Sequence, residues 1–133
     1  MKKAFTMIEL IFVIVVLGIL AGIAVPRLAA TRDDATIAKM RGDLASIRSG
    51  ISLKRSQNMM RGNIGWPELG ANFSNVVQGG IKAGNDKNGW TQDAQNANSF
   101  KGCVAAGKCA NFTYDTTNGN ITCTGTACDM LGY

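Results

Sequence analysis

The stretch that decides the fold runs from Phe5 to Pro26 and reads FTMIELIFVIVVLGILAGIAVP. From Leu10 to Pro26 it carries no charged or strongly polar side chain, and a helical run of this length is just long enough to span a bilayer. Glu9 stands at the leading edge of this apolar run. A carboxylate in hydrocarbon costs several kcal/mol unless a partner compensates it, so the position of Glu9 calls for an explanation.

Two ordinary interpretations of this stretch compete with a specialised one. The first is a secretory signal, for which Gly22-Ile23-Ala24 offers a small-x-small cleavage site, although the run is longer than a usual signal core. The second is a plain single-pass anchor. Thr6-Met7-Ile8-Glu9 also has the pattern of a capping box, which explains Glu9 as a helix start but does not explain its depth in a membrane.

The residues on either side of the stretch indicate its orientation and the size of the domain beyond it. Lys2 and Lys3 precede it, and positive charge at this point holds the N-terminus in the cytoplasm and sends the rest across the membrane. With 133 residues, the chain leaves roughly 100 residues beyond the apolar run, which is one small domain.

Positive charge is concentrated on one segment of the chain. Between Arg27 and Arg61 there are eight basic and three acidic residues, which gives 8 − 3 = +5. From Gly62 onward four lysines face five acids, which gives 4 − 5 = −1. A nucleic-acid surface is expected on the exposed domain with aromatic residues among the charges, so this distribution leaves direct nucleic-acid binding unsupported.

An amphipathic helix is predicted directly after the apolar run. Apolar residues recur at intervals of three and four, which places them on one helix face; they are Ile37, Met40, Leu44, Ile47 and Ile51. Pro26 is expected to kink the helix rather than end it, because the periodicity resumes beyond it. Gly42 and Gly50 weaken this helix without an evident reason, and Arg61-Gly62 is a typical stop signal.

The C-terminal region predicts a β-hairpin with disulfides. Strands over 111–115 and 120–124 flank an Asn118-Gly119 turn, and with these two residues at the centre Tyr114 lies opposite Cys123. Extending that register favours Cys109–Cys128 together with Cys103–Cys123, although the other two pairings stay open. Residues 63–102 carry little periodic signal.

No catalytic, cofactor or metal site is predicted from the sequence. The chain has no histidine, and it shows no nucleophile elbow, phosphate loop or clustered carboxylates, so an enzyme is not expected. The spacing of the four cysteines lacks the tight knuckles of a zinc site. Asn85 to Gly89 has a faint likeness to a calcium loop, but an Asn-Gly turn is the better interpretation.

The N-terminal residues Lys2-Lys3-Ala4-Phe5-Thr6-Met7-Ile8-Glu9-Leu10 resemble the processing motif of type IV prepilins and type II secretion pseudopilins. The resemblance covers residues 2–28. It implies that a prepilin peptidase cuts between Ala4 and Phe5 and N-methylates Phe5, and that Thr6, Glu9, Gly18 and Pro26 belong to the assembly helix. Ala4 departs from the family, which usually has glycine there.

The same resemblance implies a fold and a role. The expected fold is α+β and pilin-like: a long N-terminal helix, transmembrane in its first half and amphipathic in its second, with a small antiparallel β-domain held by disulfides of Cys103, Cys109, Cys123 and Cys128. The expected segments are a leader over 1–4, a polymerisation helix over 5–28, an amphipathic helix over 29–61 and a periplasmic domain over 62–133.

The implied function is that of a subunit of a periplasmic pseudopilus or short type IV pilus, in type II secretion or DNA uptake. Its partners would be copies of itself and other pseudopilins, the prepilin peptidase, an inner-membrane assembly platform and the lipid bilayer. In this interpretation, Glu9 of one subunit pairs with the new amine of Phe5 on its neighbour. The alternative is a small disulfide-bonded binding module, secreted after an ordinary signal peptidase cut.

Overall fold

The computed structural model describes residues 4–133, except for the side chains of residues 26, 29 and 30. One long helix is followed by a four-stranded sheet. The helix α1 spans Met7–Met60, and the strands are β1 (Gly89–Gln92), β2 (Ser99–Ala105), β3 (Lys108–Tyr114) and β4 (Ile121–Gly125). Short 3-10 helices occupy Ala71–Phe73 and Asp129–Leu131. The predicted α+β fold, with a long N-terminal helix and a small antiparallel sheet, is confirmed.

The chain divides into two compact units, Met1–Asp34 and Ala35–Tyr133. The second unit therefore contains the outer part of α1 together with all the residues after the helix. The predicted segment boundaries after residues 28 and 61 stay predictions.

The C-terminal end of α1 is set by the glycine that the sequence marked as a stop. Gly62 has φ of 88°, a left-handed conformation that favours glycine. The N–H of Asn63 donates to the carbonyl of Asn58, and the N–H of Gly62 donates to the carbonyl of Met59. These two bonds form a Schellman motif, which satisfies carbonyls that the helix leaves without partners.

The core of the second unit lies between α1 and the sheet. The predicted apolar stripe of the helix is buried there, with Met40, Leu44, Ile47 and Ile51 no more than 3% exposed and Ile37 packed against the same cluster. The sheet contributes aromatic residues to the other side. Phe100 and Phe112 stack with ring centroids 5.2 Å apart, and Trp90 meets Phe112 edge-on at 5.5 Å.

The sheet has the simple order β1-β2-β3-β4, with every neighbouring pair antiparallel. The β3–β4 hairpin was predicted, but its register was not. Phe112 lies opposite Cys123 and Tyr114 lies opposite Ile121, so the predicted pairing of Tyr114 with Cys123 is wrong by two residues. Strand β1 and the first four residues of β2 lie in the region, residues 63–102, that carried little periodic signal.

The side chain of Asp115 explains the shifted register. Its carboxylate accepts hydrogen bonds from the backbone N–H and the hydroxyl of Thr117, at 2.8 and 2.6 Å, and from the amide of Asn118 at 2.9 Å. The N–H of Asp115 also donates to the carbonyl of Asn120, which closes the hairpin around four turn residues rather than two. A side chain that caps a turn in this way competes with the tight Asn-Gly turn.

All four cysteines form disulfides, but the pairing favoured from the sequence is wrong. The bonds are Cys103–Cys109 and Cys123–Cys128. The first joins directly opposed residues of β2 and β3, since Cys103 is the register partner of Cys109. The second closes the turn after β4. Both bridges are therefore local, and neither one is the long-range pairing that the incorrect register implied.

Candidate functional site

The most unusual surface of the chain is the apolar first part of α1. Residues Met7–Val25 have a mean hydropathy of 2.9 and none of them is buried. The segment contains 19 residues, about 28 Å at 1.5 Å per residue, which matches the hydrocarbon thickness of a bilayer. Among the described residues, this is the one helix that is long and apolar enough to cross a membrane.

Individual exposures show how complete this apolar surface is. Ile8 is 77% exposed, Phe12 is 69% exposed, and Ile19 is 60% exposed. Continuous apolar surfaces of this extent are rare on soluble monomers and mark a surface that meets lipid or another protein. The segment is therefore a candidate site in its own right.

Thr6 begins the helix as its N-cap residue. Its hydroxyl accepts a hydrogen bond from the backbone N–H of Glu9 at 3.3 Å, and its carbonyl accepts the N–H of Leu10 at 3.1 Å. This is the Thr6 half of the predicted capping box. The helix start is thus positioned by a local bond that the sequence pattern anticipated.

Glu9 lies in the first turn of α1 and is exposed. Negative charge is favourable near a helix N-terminus, because the helix dipole presents partial positive charge there. It is also the single ionisable residue of Met7–Val25. The structure therefore places a carboxylate one turn into an apolar surface and leaves it accessible to a partner.

The remaining predicted processing and assembly residues lie around this surface. Ala4 and Phe5 precede the helix, and the Phe5 side chain is 83% exposed. A methyl group added at Gly18 would have no neighbour within 4 Å. The helix continues through Pro26, where a kink stays a prediction. Lys2 and Lys3 of the predicted leader lie outside the described residues.

The second unit contains a row of arginines that the sequence reading did not single out. Arg41, Arg48 and Arg55 recur every seven residues on α1, which places them along one side of the helix. Arg41 Nε donates to the carbonyl of Met130 at 2.8 Å. The guanidinium of Arg48 lies 4.4 Å from the centroid of the Tyr133 ring, and that of Arg55 lies 3.6 Å from the Trp66 ring. The seven-residue spacing of these arginines in the sequence is the signal that could have identified the row.

Two further acidic side chains, one in α1 and one in the loop before β1, have structural partners. Asp43 accepts from the indole N–H of Trp90 at 3.0 Å and forms an ion pair with Lys39 at 3.4 Å. Asp86 forms an ion pair with Lys101 at 3.6 Å. These contacts hold local geometry, and they do not bring acidic groups together.

Two pKa shifts occur at the β3–β4 hairpin. Hydrogen bonds from Thr117 hold the pKa of Asp115 below its ordinary value of 3.8. Burial raises the pKa of Tyr114 above 10.0, and its hydroxyl donates to the carbonyl of Pro67 at 2.9 Å. Both shifts have structural causes within the hairpin and its neighbouring loop.

The segment from Asn85 to Gly89, which faintly resembles a calcium loop, begins with a turn. The side-chain oxygen of Asn85 accepts from the N–H groups of Lys87 and Asn88, at 2.9 and 3.0 Å. Within residues 4–133, no three His, Cys, Asp or Glu side chains are grouped as a metal site would require. The oxygen of Asn85 is thus used to shape the loop.

Comparison with known proteins supports the N-terminal resemblance. Residues 1–25 match the family described as the prokaryotic N-terminal methylation motif. The chain is 33% identical over 57 residues to type II secretion system core protein G of Pseudomonas aeruginosa, which is 43% of this chain and 40% of that protein. It is 44% identical over 55 residues to the type IV narrow pilus major component PilA5 of Thermus thermophilus, which is 41% of this chain and 47% of that protein.

The aligned region covers only part of this chain and of each relative. The chain spans less than half the length of these curated relatives. No solved structure matches it significantly. The resemblance to prepilins and pseudopilins, drawn from residues 2–10, is confirmed by the matching motif and by these relatives.

Proposed function

We propose that this chain is a structural subunit of a pilus or pseudopilus, held in a membrane by Met7–Val25 and assembled through the same helix. The observation that carries the proposal is the wholly exposed apolar surface that begins with a processing motif and contains one accessible carboxylate. Such a surface is stable in lipid before assembly and against other helices after it.

The proposed processing is the one that the motif implies. A prepilin peptidase cuts between Ala4 and Phe5 and methylates the new amine of Phe5. The cut leaves that amine one helical turn before Glu9, and Glu9 of one subunit then pairs with the amine of its neighbour. Each charge alone is costly in an apolar surrounding, whereas the pair is neutral, so the pairing sets the register between helices.

The proposed location is the inner membrane of a bacterium, with a single membrane pass and the C-terminal unit in the periplasm. The relatives include both a secretion-system protein and a pilus component, so secretion and filament display are both consistent with the similarity, and DNA uptake is a further setting. The assembly platform and the other pseudopilins are the proposed partners in each case.

The first test is the mass of the mature protein. We expect a chain that starts at N-methylated Phe5. A mature chain that starts at Val25 would instead identify a secreted module released after Ala24, and it would overturn the proposal. Replacing Ala4 with glycine restores the usual family residue and is expected to preserve this start site.

The second test separates assembly from insertion. Glu9→Gln keeps the size of the side chain and removes its charge, so we expect normal membrane insertion but loss of incorporation into filaments. Asp34→Asn on the same helix, outside the apolar segment, is the matched control and should assemble normally. Normal assembly of Glu9→Gln would remove the pairing role from Glu9.

A further inference from the structure

A cleft of about 320 Å³ lies between α1 and the start of β4. Pockets that bind small molecules typically measure about 300–1,000 Å³, so this cleft is at the small end of that range. Ile51 of α1 and Ile121 of β4 are buried and form its apolar inner lining. Ser52 and Asn120 are exposed and supply polar groups at its outer edge.

One wall of the cleft is a fixed indole ring. Trp66 lines the cleft, and the guanidinium of Arg55 covers its ring at 3.6 Å. On the hairpin side, a side chain at position 119 would overlap the same ring, and Gly119 leaves the space for it. Because the ring is held by these neighbours, the wall is formed before any ligand arrives, which lowers the entropic cost of binding.

The lining of the cleft also includes a cation. Arg48 lines the cleft and is exposed, with its guanidinium 4.4 Å from the Tyr133 ring. None of the lining residues is acidic, and no carboxylate of the described residues forms an ion pair with Arg48. On the β3–β4 hairpin, the carboxylate of Asp115 accepts hydrogen bonds from Thr117 and Asn118. A guanidinium that contacts a ring through its face keeps its in-plane N–H donors, whose geometry matches a carboxylate.

We propose that this cleft binds a small free carboxylate with an apolar or aromatic body. The body lies against Ile51, Ile121 and the Trp66 ring, and the carboxylate accepts hydrogen bonds from Arg48. This site is independent of filament assembly, because all of its residues belong to the unit Ala35–Tyr133 of a single chain.

The test uses the full chain in detergent micelles with isotope-labelled tryptophan. The sequence has two tryptophans, so the spectrum contains two indole N–H signals, assigned with the Trp66→Phe variant. The probe is 3-phenylpropionate. We expect a saturable shift of the Trp66 signal, whereas the signal of Trp90, which is buried and bonded to Asp43, stays in place.

Matched probes and variants decide whether the carboxylate and Arg48 are responsible. The neutral 3-phenylpropanamide and the variant Arg48→Gln should each weaken binding by about tenfold or more, because each removes a charge-assisted hydrogen bond. Lys54→Gln removes a positive charge that does not line the cleft and should leave binding unchanged. Ser52→Leu narrows the mouth, keeps Arg48 and should block the probe.

Four outcomes would overturn the proposal. They are a Trp66 signal that does not shift saturably, equal binding of the neutral amide, full binding by Arg48→Gln, and full binding by Ser52→Leu. An unchanged Trp90 signal in each variant confirms that the fold is intact, so a loss of binding is read as a loss of the site.

Discussion

Two glycines of α1 should respond in opposite ways to the same substitution. Both Gly42 and Gly50 lie in the helix interior, where alanine is favoured over glycine by about 0.8–1 kcal/mol. A methyl group at position 42 has no neighbour within 4 Å. A methyl group at position 50 would overlap the carbonyl oxygen of Val76 and lie 2.7 Å from its carbonyl carbon.

The expected magnitudes derive from this geometry. Gly42→Ala should raise the free energy of unfolding by about 0.5–1 kcal/mol, since the change removes only the cost of glycine. Gly50→Ala gains the same term but forces the loop that contains Val76 away from the helix. Overpacking costs about 1–3 kcal/mol, and the upper end applies because a backbone group cannot rotate out of the way. The net loss for Gly50→Ala is then about 2 kcal/mol.

The assay is thermal unfolding of the full chain in detergent micelles, followed by near-ultraviolet circular dichroism of the aromatic cluster in Ala35–Tyr133. For a domain of this size, about 1 kcal/mol corresponds to about 4–8 °C in Tm. Gly42→Ala should raise Tm by a few degrees, and Gly50→Ala should lower it by about 8–16 °C. If Gly50→Ala instead raises Tm as Gly42→Ala does, the close approach of residues 74–78 to α1 is refuted.

Three further predictions concern the second unit. The unreduced chain can be cleaved after lysine and before aspartate, and the peptides identified by mass. We expect the peptide 102–108 to be joined by a disulfide to the peptide 109–114. A disulfide between the peptide 109–114 and the next peptide along the chain would contradict the observed pairing. Ile47→Ala should lower the free energy of unfolding, measured by urea denaturation, by about 2–5 kcal/mol, because it removes a buried side chain. The control Leu53→Ala, at a 62% exposed site, should change it by less than about 0.5 kcal/mol. The pKa of Asp115 is lower in the folded chain than its ordinary value of 3.8. The contribution of Asp115 to stability is therefore present above pH 3.8 and is lost as the pH falls through the pKa of the folded chain. Asp115→Asn should accordingly reduce the loss of stability at acidic pH in a profile of unfolding free energy against pH.

The sequence predicted best the features that depend on local periodicity. The buried stripe from Met40 to Ile51 could be predicted because a helix repeats every 3.6 residues, and the residues that face the core must follow that repeat. The stop at Gly62 was readable because a left-handed residue ends many helices. The N-terminal site could be predicted for a similar reason, since its motif, its helix cap and its apolar run are all adjacent within residues 2–25.

The sequence failed where the strand pattern is short or interrupted and where a side chain overrides a general turn rule. Strand β1 has only four residues, and β2 carries a bulge between Cys103 and Ala105 that interrupts its alternation. The hairpin register depended on the side chain of Asp115, which the turn rule for Asn-Gly did not include. One incorrect register then produced one incorrect disulfide pairing.

The cleft and the arginine contacts could not be predicted from the sequence, because they depend on segments that are far apart in the chain. Arg55 meets Trp66 only because the chain after α1 folds back along the helix, and Arg48 meets Tyr133 only because the last strands return the chain to α1. Spacing showed that these arginines share a side of α1, but it could not show which ring each would cover.

The local character of both disulfides has a mechanical consequence. All four cysteines are used within residues 103–128, so no disulfide joins α1 to the sheet. Tension applied along α1 therefore reaches the sheet through the backbone of residues 61–88 and through the packing of helix residues such as Leu44 and Ile47, together with single contacts such as the hydrogen bond from Trp90 of β1 to Asp43. We therefore expect a load along α1 to separate the helix from the sheet before it opens the two segments that the disulfides close.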